Sequence, residues 1–470
     1  PPGCWSHAPM GPPPLLRVCH TRDGIRLIIA QKNTAVKPVY EICPEWYNKM
    51  IILPSSRRLP GRAPGDIEKE CSQPVWLTDW VKEFFRKADM VLLALIVAAS
   101  LFGVVLIYSA TRYLGQAGIR YVPIQIISIL LGVVAYFIMS FVDVELFTEK
   151  SWKWMFGFNV FIILLLKTPF GVGGETTGNN SWLAFPFLPV NIQPAEVAKV
   201  FFVLLLALQC RKLQDWGISR FSSVVQLAGH TLFMAGLIAA VSGDFGMVLV
   251  YLGLFIIMAW TAGVKKRWFV LGLAGSAGGL VLVWSHIPTY IQNRFTVVID
   301  HITGNPDTIY QQTQDAGWQQ TRSVLAIGSG GVFGQGYLQG TQTQSTSSES
   351  LPARYTDEIF AVCGEELGLI GCVAVMLLLT AIILRCIWVA RRASSPMSAY
   401  IAMGYAAMLL LQTSINIGMC LYVFPVVGLT LPFFSYGGSS IITLYACMGI
   451  VSGIKMRSLP SWLRDRSQLE

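Results

Sequence analysis

Charge is what this sequence has least of. Only 13% of its 470 residues are Asp, Glu, Lys or Arg, while 53% are hydrophobic and the mean hydropathy is +0.54. Soluble domains carry about 25% charged residues, so the shortfall argues against a cytosolic enzyme, a disordered scaffold or a nucleic-acid binder. Histidine is scarce too, five in all and scattered. The ten cysteines form no Cys-x-x-Cys pair and no cluster with His, which removes the usual signatures of zinc and redox sites and leaves buried thiols as the expectation. No charged segment followed by a short apolar one marks a signal peptide. Nor is there a clear internal repeat, a feature of many transporters.

What the chain does have is apolar length, unevenly spread. Residues 1–74 hold 12 of the 24 prolines and four of the ten cysteines, with no sustained apolar run and no clear period. The chain opens on Pro1 rather than Met, and residues 1–74 are expected to be a peripheral extension, either disordered or not native. Residues 75–89 read as a lead-in to the first span and 457–470 as a tail. Between them, 90–456 is expected to be all-α, a polytopic membrane domain of about ten transmembrane helices over 90–111, 122–142, 154–167, 195–210, 226–243, 246–263, 267–286, 358–384, 397–421 and 430–454. A bilayer core of about 30 Å needs roughly 20 apolar residues per helix, and the third run is short of that. Outer-membrane strands would instead alternate over about ten residues.

The net charge of +9 follows topology. Eighteen basic residues, among them Lys150, Lys153, Arg211, Lys212, Lys265, Lys266, Arg385 and Lys455, fall on one side of the ten-span arrangement. Only Arg112, Arg120, Lys167, Arg294, Arg322 and Arg354 fall on the other. The positive-inside rule then predicts both termini in the cytoplasm. Two external loops stand out, Thr168 to Pro194 and the long loop 288–357. Loops beyond about 12–15 residues are often functional.

Polar residues at membrane depth are the candidate site. Gln193-Pro194-Ala195-Glu196-Val197-Ala198-Lys199 opens the fourth span, and Glu196 and Lys199 share a helical face. An intramembrane charge costs about 2.5–3.5 kcal/mol on insertion scales, so the two either form a structural ion pair or line a polar cavity facing a ligand. Asp244, in Gly243-Asp244-Phe245-Gly246, either caps a helix or joins that cavity. Glu365 and Glu366 lie early in the eighth span, and at least one must face protein or water. The long loop carries Asp300, Asp307 and Asp315, then Gly317-Trp318-Gln319-Gln320 and the run Ile327 to Gly336. That run lacks the Gly-Lys-Ser/Thr ending of a phosphate loop. Phe424 to Ser440 holds two prolines, Ser435 and Ser439, and reads as a broken helix or re-entrant turn.

Four stretches in order, Gln193–Lys199, Ile327–Gly336, Thr356–Gly371 and Phe424–Ser440, resemble the SEDS family (shape, elongation, division and sporulation) of bacterial cell-wall glycosyltransferases. The resemblance covers roughly residues 90–456, and Gly340-Thr341-Gln342-Thr343-Gln344 looks closest to its RodA branch. It implies an enzyme of the bacterial cell membrane that polymerises lipid II outside the membrane, beside a class B penicillin-binding protein, with no nucleic-acid partner. It also implies a catalytic loop aspartate shortly before a Gly-aromatic-Gln stretch. Asp315 matches best, although its spacing to the glycine is short, and Asp307 is the second candidate. Glu196, Lys199 and Asp244 match the family's central polar cavity, and Trp182 its external-loop tryptophan. The Arg often found before that tryptophan is missing, and Thr356-Asp357-Glu358-Ile359-Phe360 departs from the common Thr-Asp-Phe-Ile-Phe. Gln193, Ser435 and Ser439 are further substrate-binding candidates. Arg294 and Lys199, or a divalent cation (Mg or Mn), would balance the leaving pyrophosphate. The alternative is a transporter or flippase of lipid-linked precursors using the same cavity.

Overall fold

The computed structural model describes residues 16–21, 24–29, 84–173, 180–186, 191–286, 289–304, 308–347 and 350–458. The fold is all-α. Its long helices are α1 (Met90–Thr111), α2 (Tyr121–Phe141), α3 (Val144–Leu164), α4 (Pro194–Trp216), α5 (Phe221–Ser242), α6 (Phe245–Thr261) and α7 (Lys266–Val283). Three short helices follow, α8 (Thr289–Thr303), α9 (Ile309–Gln314) and α10 (Trp318–Gly330), then α11 (Ile359–Arg391), α12 (Pro396–Cys420) and α13 (Gly438–Arg457). Five stretches among the described residues are long and apolar enough to cross a membrane: Met90–Phe141, which holds α1 and α2, and the helices α5, α11, α12 and α13.

Local chemistry sets the helix starts. Asp89, Asp143, Asp244 and Ser395 each accept a hydrogen bond from the backbone N–H three residues on, at 3.0–3.2 Å, the usual N-cap arrangement. Pro194 and Pro396 occupy first turns, where no N–H is needed. The Asp143 cap explains why α3 starts well before the expected residue 154. Its first turns carry Glu145, Glu149, Lys150 and Lys153, which an apolar pattern passes over. The last helix also departs from expectation: 421–437 is irregular, and α13 begins only at Gly438.

The leader is not wholly without regular structure. Strands β1 (Leu16–Thr21) and β2 (Gly24–Ile29) pair antiparallel, Val18 opposite Leu27 and Leu16 opposite Ile29. Leu16 and Val18 on β1 and Ile25, Leu27 and Ile29 on β2 recur at period two, but Ile28 and Cys19 interrupt the pattern, which is too brief to stand out in a proline-rich segment.

At one end of the bundle Asp89, fully buried, joins four helices. Its carboxylate accepts from Arg385 Nε and Nη2 at 2.9 Å, with Lys455 Nζ at 3.7 Å. Its backbone N–H donates to Ser452 Oγ and its carbonyl accepts from Tyr136 Oη.

At the other end the long loop is built against α11. That helix breaks at Gly368 (φ 66°). The N–H groups of Leu369 and Ile370 donate to the carbonyls of Gly331 and Val332, and those of Gln335 and Gly336 to the carbonyls of Glu365 and Glu366. A Cβ on Gly334 (φ 80°) would lie 2.1 Å from the Glu366 carbonyl oxygen. The glycine run therefore serves backbone-to-backbone packing. Glu365 and Glu366, both fully buried, hold the next segment. Glu365 accepts from Thr341 Oγ1, Gln342 N, Thr343 N and Thr343 Oγ1 at 2.6–3.0 Å. Glu366 accepts from Ser109 Oγ at 2.6 Å and Gln344 Nε2 at 2.9 Å. Arg354 closes the loop on the carbonyls of Thr343, Ser345 and Leu351, over the Tyr113 ring.

Candidate active site

The start of α4 projects a row of polar side chains into the bundle. Glu196 and Lys199 are 2% and 0% exposed and pair at 2.9 Å, Nζ to Oε1. Gln412 of α12 donates to the same Glu196 oxygen at 2.9 Å. Glu196 Oε2 and Gln412 Oε1 are buried with no hydrogen-bond partner. Leaving such an atom unmet costs about 1–3 kcal/mol, more than a register-fixing ion pair requires. The pair is thus an ion pair that leaves two acceptor oxygens open.

Asp244 is a helix cap that also contacts this polar group. It caps α6 through Met247 N, and its other oxygen accepts from Gln193 Nε2 at 3.2 Å. Ser181, beside Trp182 in the strand pair β3 (Gly171–Val172) and β4 (Trp182–Leu183), lies next to it. Tyr251 Oη donates to the Ala195 carbonyl between Asp244 and Glu196. Burial pushes the Asp244 carboxyl up to about 6, opposed by the Met247 and Gln193 hydrogen bonds and reinforced by the charge of Glu196.

One acid of this group was passed over in the sequence. Asp357, half-buried just before α11, is pushed up to about 7 by burial and by the charges of Glu358 and Asp244. Its carbonyl accepts from Asn416 Nδ2 at 2.7 Å. Burial also raises Glu358, against hydrogen bonding from Gln319. The signal was present: an acid directly before an apolar run, inside a recognised motif. The stretch departs from the common pattern at the neighbouring Glu358.

The irregular segment 421–437 roofs the group. Arg294 of α8 donates to the Val426 carbonyl at 3.1 Å. The Cβ position of Gly246 approaches the Val427 carbonyl, and that of Gly428 lies 3.8 Å from Asp357 Oδ2. Arg294, Asp244 and Asp357 thus border one short stretch of backbone. Ser435 is used structurally, donating to the Thr356 carbonyl and accepting from Leu431 N. Ser439 Oγ is buried with no hydrogen-bond partner.

Asp315 stands apart. It ends α9, exposed, with its carbonyl accepting from Trp318 N. Its neighbours lead inward: Gln319 donates to Glu358, Gln320 to the Phe424 carbonyl and Ser323 to the Cys420 carbonyl. Gly317 has no room for a Cβ, which would lie 2.4 Å from the Gln312 carbonyl oxygen. Asp307 lies outside the described residues. Among the described residues no three His, Cys, Asp or Glu side chains come together as a metal cage. A cavity of about 390 Å³ lies elsewhere, at the junction of α1 and α2, lined by Tyr108, Arg112, Ile119 and Pro123 among others.

A family model described as "Cell cycle protein", covering FtsW, RodA and SpoVE, matches residues 89–459. The chain belongs to the FtsW/RodA/SpoVE family. It is 32% identical over 377 residues to the "Probable peptidoglycan glycosyltransferase FtsW" of Geobacter sp. (strain M18), covering 78% of this chain and 97% of that one. To "Stage V sporulation protein E" of Bacillus subtilis (strain 168) it is 31% identical, covering 79% and 97%. To "Peptidoglycan glycosyltransferase MrdB" of Escherichia coli (strain K12) it is 32% identical, covering 79% and 95%. These identities are level and do not single out a branch. Among solved structures, a chain from work described as "Structural coordination of polymerization and crosslinking by a peptidoglycan synthase complex" superposes with a TM-score of 0.62 at 26% identity, covering 81% of this chain and 99% of that one. Thermus thermophilus rod shape determining protein RodA superposes at 0.54 and 25% identity, covering 80% and 98%. As an FtsW/RodA/SpoVE family member with several apolar helices, the chain is a multi-pass membrane protein.

Proposed function

We propose that the protein is a peptidoglycan glycosyltransferase that polymerises lipid II into glycan strands at the external face of the cell membrane. The observation that carries this is the buried, under-satisfied polar group of Gln193, Glu196, Lys199, Asp244 and Gln412 in an otherwise apolar bundle. Relatives named as peptidoglycan glycosyltransferases support it. In the reaction a sugar hydroxyl of one substrate attacks the anomeric carbon of the other. The new glycosidic bond forms as the bond to pyrophosphate breaks, and the pyrophosphate leaves with the electron pair. A carboxylate takes the hydroxyl proton, help worth about 10²–10⁴ in rate.

Asp315, exposed and ahead of a helix anchored on Glu358, is our choice for that base. Lys199 and Arg294 supply positive charge for the leaving group, while Gln193, Asp244 and Trp182 shape the substrate cavity, with Ser439 free to donate. Ser435 acts by holding segment 421–437. A Mg or Mn ion has no protein-only cage among the described residues, and no step here uses one. Ten spans with both termini in the cytoplasm agree with the basic residues at the helix ends. A class B penicillin-binding transpeptidase as partner fits the similarity to a chain of a synthase complex that polymerises and crosslinks.

The test is polymerisation of lipid II by the purified protein with its partner. Wild type should make glycan strands and Asp315→Asn should not. Full activity in that variant refutes the base, and lipid movement without any covalent product would establish the transporter reading instead.

A further inference from the structure

Far from the polar group, the first turns of α3 meet the last turns of α4. Lys153 Nζ lies 5.6 Å from the centroid of the Trp152 ring, and Lys212 Nζ, arriving from α4, lies 5.8 Å from the same centroid. Lys150 shares the helical face of Lys153 and Trp154. None of these three lysines has an ion pair among the described residues, because Glu149, the nearest acid in sequence, is taken by Arg211. Asp215 on the last turn of α4 is the other acid nearby, so four basic residues face two acidic ones. All of these side chains are exposed.

The setting is amphipathic along α3. Trp154 and Trp216 are 83% and 71% exposed beside the lysines, and an apolar stripe of Phe158, Phe161 and Leu164 continues down the exposed face of α3. Aromatic residues of this kind sit at membrane interfaces. Basic pockets between helices at such an interface bind anionic headgroups. Other basic helix ends differ: Lys266 stacks on Trp260 and Arg267 on Trp268, one cation to each ring, while Arg385 and Arg392 over Trp388 come from one helix and Arg385 is already paired with Asp89. Only at Trp152 do two unpaired ammonium groups from different helices converge on one indole, among the described residues.

We propose that Lys153 and Lys212 with Lys150 form a headgroup site for an anionic phospholipid of the surrounding bilayer, its acyl chains lying along Phe158, Phe161 and Leu164. The ammonium groups meet the phosphate, and the ring of Trp152 holds both lysines in place. The site rests on the chain's membrane residence alone and is independent of its reaction. Since α4 carries Glu196 and Lys199 at its opposite end, lipid bound here braces the helix that presents the polar group.

Native mass spectrometry of the full-length protein in detergent, titrated with tetraoleoyl cardiolipin, tests it. Each lysine at an anionic surface is worth a factor of about five, so Lys153→Ala with Lys212→Ala should weaken binding about 25-fold. Arginine at both positions should retain it, and Lys265→Ala with Lys266→Ala should leave it within about twofold. Phosphatidylcholine should bind all variants alike. Undiminished cardiolipin binding in the Lys153/Lys212 variant, or an equal loss in the Lys265/Lys266 variant, overturns the proposal. If the double variant fails to fold in phosphatidylcholine nanodiscs, Lys153→Gln alone serves, with about a fivefold loss expected.

Discussion

Replacing Glu365 by Gln tests whether the long loop is held by a buried carboxylate. The side chain keeps its size, but four donors now face one carbonyl oxygen and one NH₂ group. Either way round, the amide nitrogen confronts a hydroxyl and a backbone N–H. The hydroxyl can rotate to accept. The N–H of Gln342 or Thr343 cannot, and is left unmet at about 1–3 kcal/mol. The two surviving bonds lose their charge, which about halves their strength. Together these cost about 3–4 kcal/mol, concentrated on residues 340–344 and passed to Arg354, which binds the Thr343 carbonyl. At about 1.4 kcal/mol per factor of ten, amide hydrogen exchange over residues 337–347 should quicken by about 100- to 1000-fold. Exchange near Asp89, at the far end of the bundle, should be unchanged. Equal exchange in Glu365→Gln and wild type would refute the assignment of these four bonds as the clamp.

Asp89→Asn should lower thermal stability by about 2–4 kcal/mol, the range for a broken buried pair reduced because Arg385 is 19% and Lys455 27% exposed; a Tm equal to wild type would count against it. Gly334→Ala forces a Cβ into the Glu366 carbonyl at positive φ, and folded yield by size-exclusion chromatography should collapse, whereas Gly278→Ala in α7, where a Cβ meets open space, should be harmless. The raised carboxyls of Asp357 (about 7) and Asp244 (about 6) hold protons that the unfolded chain releases near pH 4. Their contribution is therefore full below about pH 4 and is lost as pH rises towards 7. Asp357→Asn should accordingly raise Tm over wild type at pH 8 but not at pH 4.

The helices could be read because a bilayer demands length and apolarity together, and Asp244 and Pro194 mark two of their starts. The start of α3 was hidden because its first turns are charged. The polar group was half legible: Gln193, Glu196, Lys199 and Asp244 stand out against apolar neighbours. Gln412 and Asn416, which complete it, are neutral residues in a long helix and carry no comparable signal. Asp357 shows the reverse case, a visible acid whose surroundings only folding reveals. The glycine run declared close approach, but not to what, since its partner is the distant backbone of α11 around Glu365 to Ile370. The RodA-like run Gly340–Gln344 is explained by what it binds, Glu365 and Glu366.

The break at Gly368 has a consequence for anyone rebuilding this molecule. Because Gly331 and Val332 satisfy the N–H groups that follow the break, the glycine run substitutes for a missing turn of α11. Exchanging 331–336 with a relative's segment, or inserting a tag there, would uncap a membrane helix rather than alter a surface appendage. The long loop and α11 are thus one exchangeable cassette, and chimaeras cut between them should fail where chimaeras cut outside them succeed.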